Sequence, residues 1–286
     1  MLLLQLTIGD AYGAGFEYVS NKIIRDFNTF SYRDHPRHKG LKAGRYTDDT
    51  QMSLAIAELL VEKKDWTPIN IANKFVAVFK RDEREGYASR FYDFLQEVKT
   101  GEEFLQKIIP HSDKSGAAMR APLLGLLSDP KELIEKTRIQ AAITHDTPDG
   151  INAAIAAAFI PHFFIWERGK KENLAQYIDA KVKGDWLTPW KGKVGAKGWM
   201  SVKAAITAIE EAKSQADLLK KCIDYSGDVD TVAAIAMAGA AYCQELPHNL
   251  PTNLYQNLEN DSYGKDYIKK LDKSLDKSLL ELYPLG

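Results

Sequence analysis

An all-α fold is predicted for this chain, and three observations predict it. Almost no stretch alternates apolar and polar residues with the period of two that a half-buried strand requires. Apolar residues recur instead at helical spacing, as in Ile69, Ala72, Phe75, Val76 and Phe79. Two groups of acids and hydroxyls, Thr47-Asp48-Asp49-Thr50 and Ser226-Gly227-Asp228-Val229-Asp230-Thr231, stand directly before long apolar runs, the place where helices begin.

The elements follow in order. Residues 1–20 read as a short apolar helix ending near Gly13 and Gly15, with Glu17 just beyond among aromatic neighbours. Partial desolvation there would raise its pKa and suit proton transfer, although a lone Glu is ordinarily a surface residue. Residues 28–44 have no period and form a long loop whose histidines are expected to face solvent. An apolar helix follows Thr47. The next helix opens at Thr67-Pro68, since proline fits a first turn. The charged run Arg81–Gly86 closes it, read as a solvated end with a lip of the active site as the alternative, before helices near 89–98 and 102–109. Small residues at Ser115-Gly116-Ala117-Ala118-Met119 would let backbone approach a ligand, although Ala-rich helix starts are common without one. Further helices are predicted near 130–143, 150–167 with a bend at Pro161, 171–182, 199–213, 215–224, 230–244 and 263–281. His145 sits at a helix junction, and the loop 185–193 carries two Trp that either stack on a ligand or cover the core.

With 286 residues, 45% hydrophobic and 27% charged, the composition is that of an ordinary globular protein, expected here as one all-helical domain over 1–286 and as a monomer. A net charge of −1 gives no global reason to bind nucleic acid or an anionic membrane. Cys222 and Cys243 lack metal-ligand spacing and read as small buried hydrophobes. No cleavable leader or run of about 20 uninterrupted apolar residues is seen, so a cytoplasmic compartment is expected.

The chemistry is expected at the two acidic clusters. Either one alone is as compatible with helix capping as with a metal site. Together, if their helices share a core, they gather four carboxylates whose repulsion calls for cations. A pair of divalent ions about 3.5–4 Å apart is the usual hydrolytic solution. The Asp228-Val229-Asp230 string also fits haloacid-dehalogenase phosphatases and some glycosyltransferases, but there the acids follow a buried strand, which residues 220–225 do not resemble. No EF-hand ligand series continues beyond Thr231.

Five strings in order, Gly9-Asp10-Ala11-Tyr12-Gly13 with Glu17, Tyr46–Met52, Ser115–Arg120, Thr144-His145 and Gly227–Ile235, resemble the ADP-ribosylglycohydrolases. The resemblance implies an all-α, orthogonal helix bundle with two Mg²⁺ or Mn²⁺ ions in a cleft. It implies metal ligation by Thr47, Asp48, Asp49, Asp228, Asp230 and Thr231, with Glu17, Asp49 and Asp228 catalytic. It assigns Ser115, Gly116, Ala117, Met119 and His145 to holding ADP-ribose. The implied reaction removes ADP-ribose from a modified protein side chain such as arginine. A small conjugate such as O-acetyl-ADP-ribose, or binding without catalysis, is the alternative. Two departures from the family pattern, Asp113-Lys114-Ser115-Gly116 before the AAMR string and Val229 between the acids, remove no implied ligand.

Overall fold

The computed structural model describes residues 1–282, with side chains through 277. As predicted, it is helical, and among the described residues extended pairing is limited to isolated bridges such as Val194 with Gly227. In chain order the helices are α1 (Leu2–Ala14), α2 (Asn21–Phe27), α3 (Asp48–Glu62), α4 (Pro68–Arg81), α5 (Ser89–Glu97), α6 (Gly101–Lys107), α7 (Gly116–Met119) and α8 (Pro130–His145). They continue with α9 (Pro148–His162), α10 (Leu174–Asp179), α11 (Gly198–Glu211), α12 (Gln215–Asp224), α13 (Val229–Gly239), α14 (Thr252–Gln256) and α15 (Lys265–Leu282).

The centre is the pair α1 and α13. Every residue of both is buried, so neither shows the one-sided apolar stripe of a surface helix. Their backbones touch because glycines allow it. A Cβ on Gly9 would lie 2.4 Å from the Ala233 carbonyl oxygen, and one on Gly13 2.3 Å from the Asp230 Cα. Gly13 therefore seats the backbone of Asp230 directly against the end of α1. The other end of α1 is capped from far along the chain, where the Asp272 carboxylate accepts from the amides of Leu3 at 2.9 Å and Leu4 at 2.8 Å.

In α9, Pro161 lies inside the helix, one residue before its end. The helix runs through His162 and then widens into a π turn over Phe163–Glu167. The segment Pro148–Glu167 is long and apolar enough to cross a bilayer, but its most apolar window is 78% buried against the rest of the protein, which makes it a core helix.

Two polar segments expected at the surface are mostly exposed or half-buried, His38 among the exposed residues, but each buries a side chain expected outside. His35 is 4% exposed. Its Nδ1 accepts from the amides of Arg37 and His38 at 3.2 and 2.9 Å, and its Nε2 lies 2.8 Å from the Glu17 carbonyl oxygen. The 28–44 loop is thus folded back onto the residue after α1. In the charged run, Arg84 is also 4% exposed: its guanidinium donates to both Glu259 oxygens at 2.6 and 2.7 Å and to Asp82, and lies 3.9 Å over the Tyr46 ring. This internal pairing carries the cost of burying the charge. Both cysteines are buried, as expected.

Candidate active site

The two acidic helix entrances meet. A cleft of about 880 Å³ is lined by Asp48 and Asp49 from the first turn of α3 and by Asp228, Asp230 and Thr231 from the start of α13. Glu17 and Tyr18 join them from the turn after α1. Thr231 lies within hydrogen-bonding reach of both Asp49 and Asp228, tying the tip of one helix to the other.

Each tip has its own support. Gly227, at φ +92°, brings Asp228 beneath Val194: the Asp228 amide donates to the Val194 carbonyl at 3.2 Å, and the Tyr18 amide to the Gly227 carbonyl at 2.8 Å. Any Cβ at 227 would fall 1.8 Å from the Val194 oxygen, so only glycine fits. The α3 tip is held by Asp10, a carboxylate with no exposure inside the fully buried helix α1. Asp10 accepts from the amide and hydroxyl of Thr47 at 3.0 and 2.8 Å, and from those of Thr50 at 2.9 and 2.6 Å. On the other side Gly86, at φ +106°, packs so closely that a Cβ would lie 2.3 Å from Asp48 Oδ1. Of the two readings of the charged run, the lip of the cleft is the one the structure takes at Gly86, with Arg84 anchoring the segment.

Asp10 stands in the first of the five strings that carry the family resemblance, but the sequence alone assigns it no role, and its support of α3 emerges only from the fold. Asp10→Ala is expected to leave four donors of α3 unpaired, to lower stability by roughly 2–4 kcal/mol, and to misplace Asp48 and Asp49. Chemical denaturation checks the first effect, and activity of the residual folded protein the second.

Placement of the other expected site residues is uneven. Ser115, Gly116, Met119 and His145 line the same cleft, with Ser115 within hydrogen-bonding reach of Asp228. Ala117 is fully buried and does not line the cleft, and Thr47 is fully buried with its hydroxyl donated to Asp10. Neither Trp of the 185–193 loop reaches the cleft; Trp186 is buried and donates to the Val182 carbonyl at 3.0 Å.

Electrostatically the floor is a cluster of carboxylates with little to neutralise them. Asp48, Asp49 and Asp230 are driven well above the usual carboxylate range by burial and then by one another's charge and that of neighbouring acids. Glu17 is pushed up to about 7, first by burial, then by Asp228 and Asp10, with Arg37 pulling the other way. Asp49 Oδ1 and Asp230 Oδ1 are buried without any hydrogen-bond partner. Glu17, Asp228 and Asp230 each present an oxygen within 4.8 Å of the others. Orphaned hard oxygens in this density are the donor set that suits Mg²⁺ or Mn²⁺. Glu17 falls inside this group, whereas its sequence context suggests only proton transfer.

Comparison with known proteins bears on the family and the fold. The sequence model of the ADP-ribosylglycohydrolase family matches residues 2–284. The chain is 28% identical over 257 residues to the ADP-ribosyl-[dinitrogen reductase] glycohydrolase of Rhodospirillum rubrum, covering 84% of this chain and 83% of that one. It is 26% identical over 308 residues to the ADP-ribosylhydrolase ARH3 of Xenopus tropicalis, covering 85% and 86%. An ADP-ribosylarginine hydrolase of Pseudomonas putida is 23% identical over 267 residues, covering 84% and 69%. Among solved structures, a chain of an ADP-ribosylglycohydrolase-related protein complex shares the fold with a TM-score of 0.73, 22% identity, and coverage of 96% and 95%. With the family's model matched from the second residue almost to the last, this chain belongs to the ADP-ribosylglycohydrolases and is a hydrolase of that family.

Proposed function

We propose that this hydrolase releases ADP-ribose from a modified protein side chain, most plainly arginine, by cleaving the bond at C1 of the distal ribose with the help of two divalent cations. The observation that carries this reading is the set of five acids, Glu17, Asp48, Asp49, Asp228 and Asp230, at the floor of one cleft, two of them with orphaned oxygens. Relatives named for dinitrogen reductase and for ADP-ribosylarginine support the choice of acceptor.

Asp48, Asp49, Asp228, Asp230 and Thr231 would hold the cations, with Thr47 behind them fixing the helix entrance. When bound, such ions supply positive charge that polarises ribose hydroxyls and acidifies a water. The remaining work falls to the chain itself. The carboxylates offset the positive charge that develops at C1 in an oxocarbenium-like transition state. Glu17, with an affinity for protons near neutrality, can take a proton from the attacking water or orient a ribose hydroxyl. Ser115, Gly116, Met119 and His145 bound the space where the rest of the ADP-ribosyl group would lie.

The test is incubation of the purified chain with proteins carrying ADP-ribose on arginine, on serine and on acidic side chains, and with O-acetyl-ADP-ribose, each with Mg²⁺, Mn²⁺ or EDTA. Metal-dependent release from arginine is expected. Turnover of none of these substrates, with ADP-ribose still raising the melting temperature, would replace catalysis by binding.

A further inference from the structure

Arg120 carries a charge that no acid answers. It is 1% exposed, and its hydrogen-bond partners are all neutral. Nε donates to Gln140 Oε1 at 2.6 Å, and Nη2 donates to the Gln140 carbonyl and to Thr144 Oγ1, both at 2.9 Å. The guanidinium carbon lies 4.5 Å from the Phe75 ring centroid. Thr144 Oγ1 in turn lies 2.7 Å from His145 Nδ1, and both residues are buried.

The direction of that last bond follows from hydrogen counting. Arginine can only donate, so the Thr144 oxygen accepts from it, and the single hydroxyl hydrogen remains to be placed. Were Nδ1 protonated, two donors would converge on one oxygen beside a fixed positive charge, with the hydroxyl hydrogen left over. The consistent arrangement runs from Arg120 Nη2 to Thr144 Oγ1, and from the Thr144 hydroxyl to His145 Nδ1. Burial and then the Arg120 charge hold the His145 pKa down to about 3, so the ring is neutral and Nε2 bears its one hydrogen. That edge of the ring faces Gly116, where a Cβ would come within 3.0 Å of Cε1 and 3.3 Å of Nε2. The absent side chain leaves it open, and His145 and Gly116 both line the cleft.

We propose that Arg120 and Thr144 are positioning residues: through a directed hydrogen-bond relay they lock His145 in its Nε2–H form and hold that donor toward the cleft, where an acceptor oxygen of the bound substrate would meet it. Polarisation along the relay by the buried guanidinium makes His145 a stronger donor than a free imidazole. The ligand's identity rests on the function proposed above; the direction of the relay does not.

Two measurements separate those parts. Long-range ¹H–¹⁵N correlation spectra of the full chain at neutral pH should show the Nε2–H pattern for His145, one of six histidines and assignable by its loss in His145→Gln. The pattern should persist in Thr144→Ser and give way to a mixture of tautomers in Thr144→Val. Titration calorimetry should show Thr144→Val weakening ADP-ribose binding on the order of tenfold and Thr144→Ser by no more than about twofold. In turnover, Thr144→Val should raise KM far more than it lowers kcat. An Nδ1–H pattern in the unmodified protein, or a folded Thr144→Val with unaltered affinity, overturns the relay. An Nε2–H pattern in a chain that binds no ADP-ribose leaves the relay standing and overturns the proposed function.

Discussion

Asp230→Ala is expected to lower kcat/KM for ADP-ribose release by at least about a thousandfold, or about 4 kcal/mol of transition-state stabilisation, while the metal-free protein melts at the same temperature or higher. The two halves have one cause. Asp230 is buried, one of its oxygens has no partner, and its neighbours include Glu17, Asp228 and Asp49. In the absence of cations its charge is a liability, because burial and repulsion both oppose it. Alanine removes that penalty and leaves a small, solvent-reachable gap at the cleft floor, in contrast to the sealed cavity that truncation makes in a core. A residue kept against its own folding cost is kept for what it binds. Steady-state kinetics and melting in EDTA are the two readouts. Turnover within tenfold of the unaltered chain would remove Asp230 from the site, and a large fall in melting temperature would make it structural. Asp10→Ala, by contrast, should lose stability and activity together, because Asp10 is fully satisfied by hydrogen bonds from Thr47 and Thr50.

How much of this was legible in the sequence follows from the range over which each residue acts. Asp48, Asp49, Asp228 and Asp230 stand at the starts of their own helices, so local pattern locates them and apolar runs behind them fix their direction. Their meeting is a tertiary fact, expected beforehand from the family resemblance and from the repulsion that so many acids would suffer without cations between them. Residues whose partners lie far along the chain were not legible. Arg84 reads as solvated until Glu259, 175 residues away, folds onto it. His35 reads as a loop histidine until the loop returns to Glu17. Helix α2 and the five-residue α14 were missed for a different reason: at seven residues or fewer, neither holds enough turns for a period to register. The tryptophans of the 185–193 loop were read with two outcomes open, and Trp186 took the structural one.

Raising the pH from about 6.5 to 8.5 is expected to destabilise the metal-free protein, by on the order of 2 kcal/mol or roughly 5 °C in melting temperature, and saturating Mg²⁺ or Mn²⁺ should abolish most of that fall. The sign rests on which state holds more protons. In the unfolded chain Glu17 titrates near 4.5 and the aspartates near 3.8, so all are ionised throughout this window. In the folded chain Glu17 is raised to about 7, and Asp48, Asp49 and Asp230 are raised well above their ordinary value. The folded state therefore binds more protons, and removing them with rising pH favours unfolding. Buried histidines act in the opposite sense: His35, His145 and His162 are all depressed below 6.5, so they add stability as pH rises, but chiefly below this window. Choosing pH 6.5 to 8.5 thus leaves the raised carboxylates as the main contributors, with the raised Cys222 and Cys243 thiols joining in the same sense only at its upper end. Cations reverse the trend because they bind the deprotonated oxygens, and at a concentration a hundred times Kd they contribute about 2.7 kcal/mol. Melting curves across the window, with EDTA and with each metal, give the answer. A melting temperature that climbs with pH in EDTA, or that no divalent ion raises, would mean that the acidic floor carries its charge without strain and is not built to hold cations.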